Sequence, residues 1–228
     1  MKKHLMALLL LVSLLCTVLS GCGDGSAEQT PEDRAQANTI NVGIAQDLDE
    51  SLDPHKTVKA GTREVMFNVF EGLMKPTSNG DLTPAVAESY TVSDDHRTYT
   101  FTLREGVKFH NGDAVTAEDV IYSIQRCIAP AETGIVPVEA FSIITDIQAL
   151  DERTVAITIS EPSNEFISYL TTAILPADYE EQDTAPVGTG PFRFVSRTAQ
   201  DSIVLEKFDE YWGTPAQLDK VTFRIIEN

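Results

Sequence analysis

The apolar residues of this chain recur with two different periods, and this feature constrains the fold more than any other. In several short runs every second residue is apolar, which is the spacing of half-buried strands. The predicted strands are 40–44, 90–92, 99–103, 107–109, 144–150, 154–159, 192–195, 203–208 and 221–226. Apolar residues three and four positions apart predict helices over 62–74, 117–128 and 163–170. The sequence therefore predicts a mixed α+β or α/β fold.

Residues 1–21 have the composition of a secretory signal. A basic start, 1–4, precedes the apolar run 5–19, which is shorter than the ~20 residues that a membrane span requires. The sequence Leu19-Ser20-Gly21-Cys22 resembles the bacterial lipobox, whose cysteine is lipidated and becomes the new N-terminus. We therefore expect Cys22 to carry a lipid anchor in the cell membrane, on its periplasmic side or outer face. A soluble secreted protein cut at an ordinary site is the alternative.

Residues 22–38 are predicted to form a flexible tether, since residues 23–38 contain no large apolar side chain. Cys16 leaves with the signal and Cys22 is predicted to be lipidated. Cys127 then remains as a lone thiol on the apolar stripe of a helix, where we expect it to be a core residue. No disulfide framework is expected, so the core must be stable without one.

The charge balance disfavours one class of partner. The 17 Lys and Arg residues against 35 Asp and Glu residues give a formal net charge of −18, which repels the phosphate backbone of nucleic acids. Small cationic or amine-bearing ligands would be mildly attracted.

Motifs for catalysis and cofactor binding are not found. The histidines beyond the signal, His55, His96 and His110, lie on different elements without metal-ligand spacing. No serine-nucleophile elbow occurs, and Gly188-Thr189-Gly190 is followed by Pro191, which does not suit a phosphate-binding loop. We therefore predict that the chain is not an enzyme and holds no metal or cofactor, and we expect His110 to be exposed.

Five motifs follow one another in order along the predicted folded part. They are 51–56 (SLDPHK), 98–104 (TYTFTLR), 107–123 (VKFHNGDAVTAEDVIYS), 186–192 (PVGTGPF) and 208–213 (FDEYWG). Together they closely resemble the family 5 extracellular solute-binding proteins. These are oligopeptide-, dipeptide- and nickel-binding lipoproteins that supply ATP-driven (ABC) importers. The resemblance runs from about residue 41 to residue 226.

The resemblance implies a periplasmic-binding-protein-like type II fold, a clamp of two lobes with an extra small domain. Residues 39–87 and 186–228 would form one ligand-binding lobe, and residues 88–185 the small domain. Because members of the family are roughly twice as long, we expect the second lobe to be absent. We also expect reduced or absent solute binding by this polypeptide alone.

The resemblance also implies where the ligand lies. Bound peptides in the family are extended and bond through main-chain groups, as strand addition requires. The residues predicted to contact ligand here are Asp53, His55, Thr57, Val58, Lys59, Ala60 and Gly61. The alternative is that this segment is only the loop that enters the helix at Thr62. Gly188 and Gly190 are interpreted as tight-turn glycines, and residues 211–213 are expected to pack beneath the cleft.

The leading hypothesis is a lipid-anchored, solute-binding component of an importer that delivers short peptides to ABC permease and ATPase subunits. A surface lipoprotein that presents peptides for signalling or adhesion is the alternative, and an enzyme is disfavoured. Peptides, nickel chelates and small sugars all remain possible solutes.

Overall fold

The structure, a computed structural model, describes residues 38–128 and 134–226. This part of the chain contains two four-stranded sheets. The first sheet, in spatial order, contains β1 (Thr39–Ile44), β10 (Lys220–Ile225), β9 (Ser202–Lys207) and β8 (Phe192–Thr198). The second contains β4 (Ala87–Val92), β5 (Thr98–Leu103), β7 (Thr154–Ile159) and β6 (Ile144–Asp151). Strands β2 (Met74–Pro76) and β3 (Leu82–Pro84) pair as a short antiparallel ribbon.

The predicted signal, Cys22 and all of the predicted tether except Asn38 lie outside the described residues. Within the described ranges, the helices are all too short or too polar to traverse a bilayer.

The first sheet brings the two ends of the described chain together. Strand β1 runs parallel to β10, and β10, β9 and β8 follow in antiparallel order. Ile203 and Leu205 of β9 point into a core that also contains Val65 and Phe70. Val65 belongs to helix α1 (Ala60–Met66), which begins directly after the segment 53–59. The first core therefore fixes α1, and with it the predicted ligand segment.

The second sheet has its own core. Alternate residues of β5 and β7 are buried, as the period of two predicts. Helix α2 (Ala117–Ile128) lays Val120, Ile124 and Cys127 against them. Cys127 is 1% exposed, which confirms that it is a core thiol.

The predicted helix 62–74 is wrong over its second half, because α1 ends at Met66 and Met74 begins β2. The Gly72 and Leu73 carbonyls accept hydrogen bonds from Val86 and Ala85, so this stretch bonds to another segment instead of to its own helix. The apolar spacing continues beyond α1 because the apolar residues that follow Met66 are buried against other segments of the chain, although they are not helical.

Two further predictions need correction, and two elements were missed. The helix predicted over 163–170 is the short α3 (Phe166–Tyr169), and the strand predicted over 107–109 is a single bridge between Lys108 and Ala114. A 3₁₀ helix, Glu139–Ile143, and the β2–β3 ribbon were not predicted. All of these are short elements, in which pairing with distant residues outweighs local sequence preference.

Gly188 and Gly190 are close-approach glycines rather than tight-turn glycines. Neither is among the described residues with positive φ. A Cβ at Gly188 would lie 2.2 Å from the Val69 carbonyl oxygen, and one at Gly190 would lie 2.5 Å from that of Asn68. A side chain at either position would therefore displace the turn that follows α1.

His110 is part of the same close approach, so the expectation that it is exposed is wrong. Its Nε2 donates to the Gly190 carbonyl at 2.9 Å, and its Nδ1 accepts from the Gly188 N–H at 3.3 Å. These two bonds suit the neutral imidazole with its proton on Nε2. Burial lowers the pKa of His110 to about 4, against the raising effect of the bond to Gly190.

Candidate functional site

The predicted ligand segment, residues 53–61, changes character at Thr57. Asp53, His55 and Thr57 are buried, with 1%, 5% and 4% of their surface exposed. Residues 58–61 are all exposed, and 61% of the surface of Val58 is accessible. The first half of the segment is therefore built into the protein, and the second half faces solvent where α1 begins.

Asp53 is held by a buried arginine of α2. The Arg126 guanidinium donates through both terminal nitrogens to the two Asp53 carboxylate oxygens, at 3.1 and 2.7 Å. Both side chains are under 10% exposed. A bidentate pair of this kind satisfies a buried carboxylate in one fixed orientation. It joins the ligand segment to α2.

His55 completes this buried group. Its Nδ1 accepts from Arg126 at 3.2 Å, because the guanidinium can only donate, and its Nε2 donates to the Ala173 carbonyl at 2.9 Å. The Asp53 carboxylate also accepts the His55 backbone N–H at 2.9 Å. Asp53, His55 and Arg126 thus form a polar wall that ties residues 53–57 to α2 and to residues 171–173.

The exposed half of the segment is positioned by a second carboxylate. Asp49 accepts the backbone N–H groups of Val58 and Lys59 at 3.3 and 3.0 Å. The Lys59 ammonium donates to the Leu48 carbonyl at 3.1 Å. A Cβ added to Gly61 would have no neighbour within 4 Å, so the space beside it is open. Residues 58–61 therefore form a fixed backbone beside open space.

Asp183 holds the start of the segment. Its carboxylate accepts hydrogen bonds from the Ser51 hydroxyl and, at 2.9 Å, from the Lys56 ammonium. The hydrogen bond from Ser51, helped by Lys56, lowers the pKa of Asp183, while burial opposes this effect. The turn 51–56 is thereby fixed to the chain just before the close-approach glycines.

A cavity of about 420 Å³ adjoins the polar wall and α1, and we call it the α1 cavity. This volume is in the range of sites for small organic ligands. Its lining consists of Pro54, His55, Thr57, Arg63, Met66, Phe67, Phe70, Cys127, Val136, Pro137, Val138, Thr171, Thr172 and Ala173. Two of the predicted ligand residues, His55 and Thr57, are thus brought to it, whereas Asp53 and residues 58–61 are not part of the lining. Arg63 and Phe67 are exposed, so the cavity opens to solvent beside α1.

The lining of the α1 cavity includes the thiol of Cys127. Burial raises the pKa of the Cys127 thiol to about 12, which leaves it protonated and unreactive at neutral pH. Across the described ranges, 38–128 and 134–226, His, Cys, Asp and Glu side chains do not gather in any group of three that could hold a metal ion.

A second polar cluster surrounds Glu71, and sequence reasoning found only part of it. The Glu71 carboxylate accepts from Tyr211 at 2.8 Å, from Trp212 at 2.7 Å and from Lys75 at 2.8 Å. The Arg104 guanidinium lies 4.3 Å from the centre of the Trp212 ring. Tyr211 also lines a cavity of about 270 Å³ together with Phe67. Residues 211 and 212 thus pack next to the α1 region through Glu71.

Sequence reasoning also missed Arg63, Phe67 and Arg126. Arg126 was one charged residue on a helix whose apolar stripe was noted, and nothing local in the sequence marks its partner Asp53, which lies 73 positions earlier. Phe67 lies within the predicted helix 62–74 but outside its predicted apolar face, so no pattern marked it. It directly follows the end of α1 and is 60% exposed.

Known proteins resemble this chain in sequence. Residues 81–228 match the family described as bacterial extracellular solute-binding proteins, family 5 Middle. Glutathione-binding protein GsiB of Pectobacterium atrosepticum is 34% identical over 78% of this chain and 36% of its own length. Dipeptide-binding protein DppE of Bacillus subtilis is 30% identical over 94% of this chain and 45% of its own.

Solved structures resemble it in fold. AgaA of A. tumefaciens R10, in complex with agropinic acid, superposes with a TM-score of 0.75 at 33% identity, over 82% of this chain and 40% of AgaA. DppA of Helicobacter pylori, in complex with the peptide STSA, gives 0.74 at 30% identity, over 86% and 44%. These neighbours are type II periplasmic binding proteins, which confirms the predicted fold class. The chain spans less than half the length of each of these relatives. It belongs to the family 5 bacterial extracellular solute-binding proteins.

Proposed function

We propose that this chain is a lipid-anchored, solute-binding component of an ABC importer, and that it captures short peptides outside the membrane for delivery to the permease. The observation that carries this proposal is the α1 cavity, which two residues of the ligand segment line and which opens to solvent beside α1. The names of the relatives support the solute class, because two are a glutathione-binding and a dipeptide-binding protein.

The two halves of the ligand segment have different parts in this proposal. Residues 57–61 contact an extended peptide, and the small side chains of Ala60 and Gly61 let its backbone approach. Asp53 and His55 act from the polar wall, where their hydrogen bonds to Arg126 fix the position of Thr57. Cys22 supplies the lipid anchor that keeps the protein at the membrane.

The two sheets support a division of the chain into two parts. In our proposal, residues 39–87 and 186–228 belong to a ligand-binding lobe built on the first sheet, and residues 88–185 form a small domain built on the second. The strands support this division, since β9 packs in one hydrophobic core and β5 and β7 pack in the other, while Leu73 and Met74 of the first lobe also pack in the second core.

The test is calorimetric titration of the purified chain with tri-alanine, nickel–histidine and glucose. We expect weak but saturable binding of the peptide alone, because the chain spans less than half the length of its relatives and its affinity for solute is expected to be reduced. Gly61→Leu should weaken this binding by at least tenfold, because it fills the open space beside the segment, and should leave the melting temperature unchanged.

Gln125→Leu is the matched control, since Gln125 is exposed on α2 and does not line the α1 cavity. Binding of nickel–histidine or glucose without peptide would contradict the proposed solute class. Peptide binding that Gly61→Leu leaves intact would contradict the proposed contact between residues 58–61 and the peptide.

A further inference from the structure

The α1 cavity differs in charge from the protein around it. The chain contains 35 Asp and Glu residues against 17 Lys and Arg residues. None of these acidic residues, among the described ones, lines the cavity. Its charged lining residue is Arg63, and the hydrogen bonds of His55 suit a neutral ring. The cavity is therefore locally cationic in a strongly anionic chain.

Arg63 is held at the mouth of the cavity by one hydrogen bond. Its Nε donates to the Thr57 carbonyl at 3.4 Å, and both residues belong to the cavity lining. Within residues 38–128 and 134–226, the two terminal nitrogens of the Arg63 guanidinium have no hydrogen-bond or ion-pair partner. The side chain is thus attached to the ligand segment and still has four N–H donors to offer.

Other arginines of the protein show what such a guanidinium binds. Arg126 takes both oxygens of Asp53, and Arg197 pairs with Asp47 at 3.0 Å. A guanidinium presents its N–H groups in a planar fork that matches the two oxygens of a carboxylate. Arg63 has the same fork at a cavity mouth, and none of the described carboxylates pairs with it.

We infer that Arg63 binds a carboxylate of the ligand in the α1 cavity and makes the site selective for ligands that place a carboxylate there. The inference rests on the proposed function for the kind of ligand. A peptide offers this group either as its C-terminus or as an acidic side chain. The cation matters here because the net charge of the chain disfavours any anion that lacks a local partner.

The experiment uses three tripeptide probes that differ in whether, and where, they carry a carboxylate. Tri-alanine carries a C-terminal carboxylate, tri-alanine amide carries none, and Ala-Glu-Ala amide carries one on its side chain. Each is titrated calorimetrically into the purified wild-type chain and into Arg63→Gln, Arg63→Lys and Arg97→Gln. Arg97 is the matched control, because it is an exposed arginine between β4 and β5 that does not line the cavity.

We expect the wild-type chain to bind one of the carboxylate probes about tenfold more tightly than tri-alanine amide, as hydrogen bonds to a charged group imply. A preference for tri-alanine identifies the C-terminus, and a preference for Ala-Glu-Ala amide identifies a side chain. Arg63→Gln should abolish the preference without weakening the binding of tri-alanine amide. Arg63→Lys should keep part of it, and Arg97→Gln should keep all of it.

Equal affinities of the wild-type chain for all three probes would overturn the inference and leave the proposed function in place. A preference that survives in Arg63→Gln would also overturn it, since another group would then hold the carboxylate. A wild-type chain that binds none of the three would overturn the proposed function as well, which distinguishes the two failures.

Discussion

The polar wall and the rim of the α1 cavity are formed by neighbouring stretches of chain, but their side chains differ in exposure and in hydrogen bonding. In the wall, Asp53, His55 and Arg126 bond to one another and are nearly inaccessible. In the rim, which consists of Arg63 and Phe67, both side chains are exposed. The wall holds the site in shape, and the rim remains open to a ligand.

Because of this difference, substitutions in the wall and in the rim should affect different properties of the protein. A buried ion pair adds little net stability compared with apolar residues of similar size, but losing one partner leaves an unpaired charge in the interior. An exposed side chain loses little when it is replaced. Substitutions in the wall should therefore affect folding, and substitutions in the rim should affect ligand binding.

The largest effect is expected for Arg126→Leu. This variant leaves the Asp53 carboxylate buried without its counter-ion, which should lower the free energy of unfolding by about 3–5 kcal/mol. Urea denaturation followed by circular dichroism measures the loss. Arg63→Leu, the matched rim variant, should change it by less than about 0.5 kcal/mol.

The double variant Asp53→Asn/Arg126→Leu tests the cause. Because it removes the unpaired charge, it should regain a large part of the stability that Arg126→Leu loses. A double variant no more stable than the single one would mean that packing of the arginine stem, and not its charge, is what matters.

A pH-dependent effect of intermediate size is expected at His110, a half-buried residue whose ring nitrogens bond within the protein. Burial lowers its pKa from 6.5 to about 4, so the unfolded chain binds a proton more readily than the folded one. The stability that His110 contributes is therefore complete above pH 6.5, falls as the pH decreases towards 4, and is constant below that. The full loss is up to about 3 kcal/mol, since one pKa unit corresponds to about 1.4 kcal/mol.

His110→Gln isolates this contribution, because the carboxylates titrate alike in both proteins. Between pH 7.5 and pH 4.5, the wild type should lose about 2 kcal/mol more of its unfolding free energy than His110→Gln loses. A difference that does not vary with pH would show that His110 remains neutral in both states or protonates freely in the fold.

The sequence predicts the elements that are long and regular. The period of two in β5 and β7 and the stripe of α2 follow from residues that face one core, and that information is local. The helix predicted as far as residue 74 was too long because an apolar period continues when the residues after Met66 are buried by other parts of the chain. The prediction that these residues are buried was correct, and the prediction that their backbone is helical was wrong.

The site was predictable only in outline. The segment 53–61 was found from a family motif, and its division into a buried and an exposed half depends on Arg126, which is distant in sequence. His110 was expected to be exposed because neighbouring polar residues mark a turn. Its partners, Gly188 and Gly190, lie about 80 positions later, and only the folded chain brings them together.

The smallest effect on stability is expected for Phe67→Ser in the rim. Phe67 is 60% exposed, so its replacement should change the free energy of unfolding by less than about 0.5 kcal/mol. Phe70, which also lines the α1 cavity, is 6% exposed and packs in the first core, so Phe70→Ser should cost about 3–5 kcal/mol and shows that the assay can detect a loss. Because both aromatic rings border one cavity, only their burial distinguishes the two substitutions. Similar losses in the two variants would mean that Phe67 is part of the core, and the contrast between a bonded wall and an open rim would then fail on this side of the cavity.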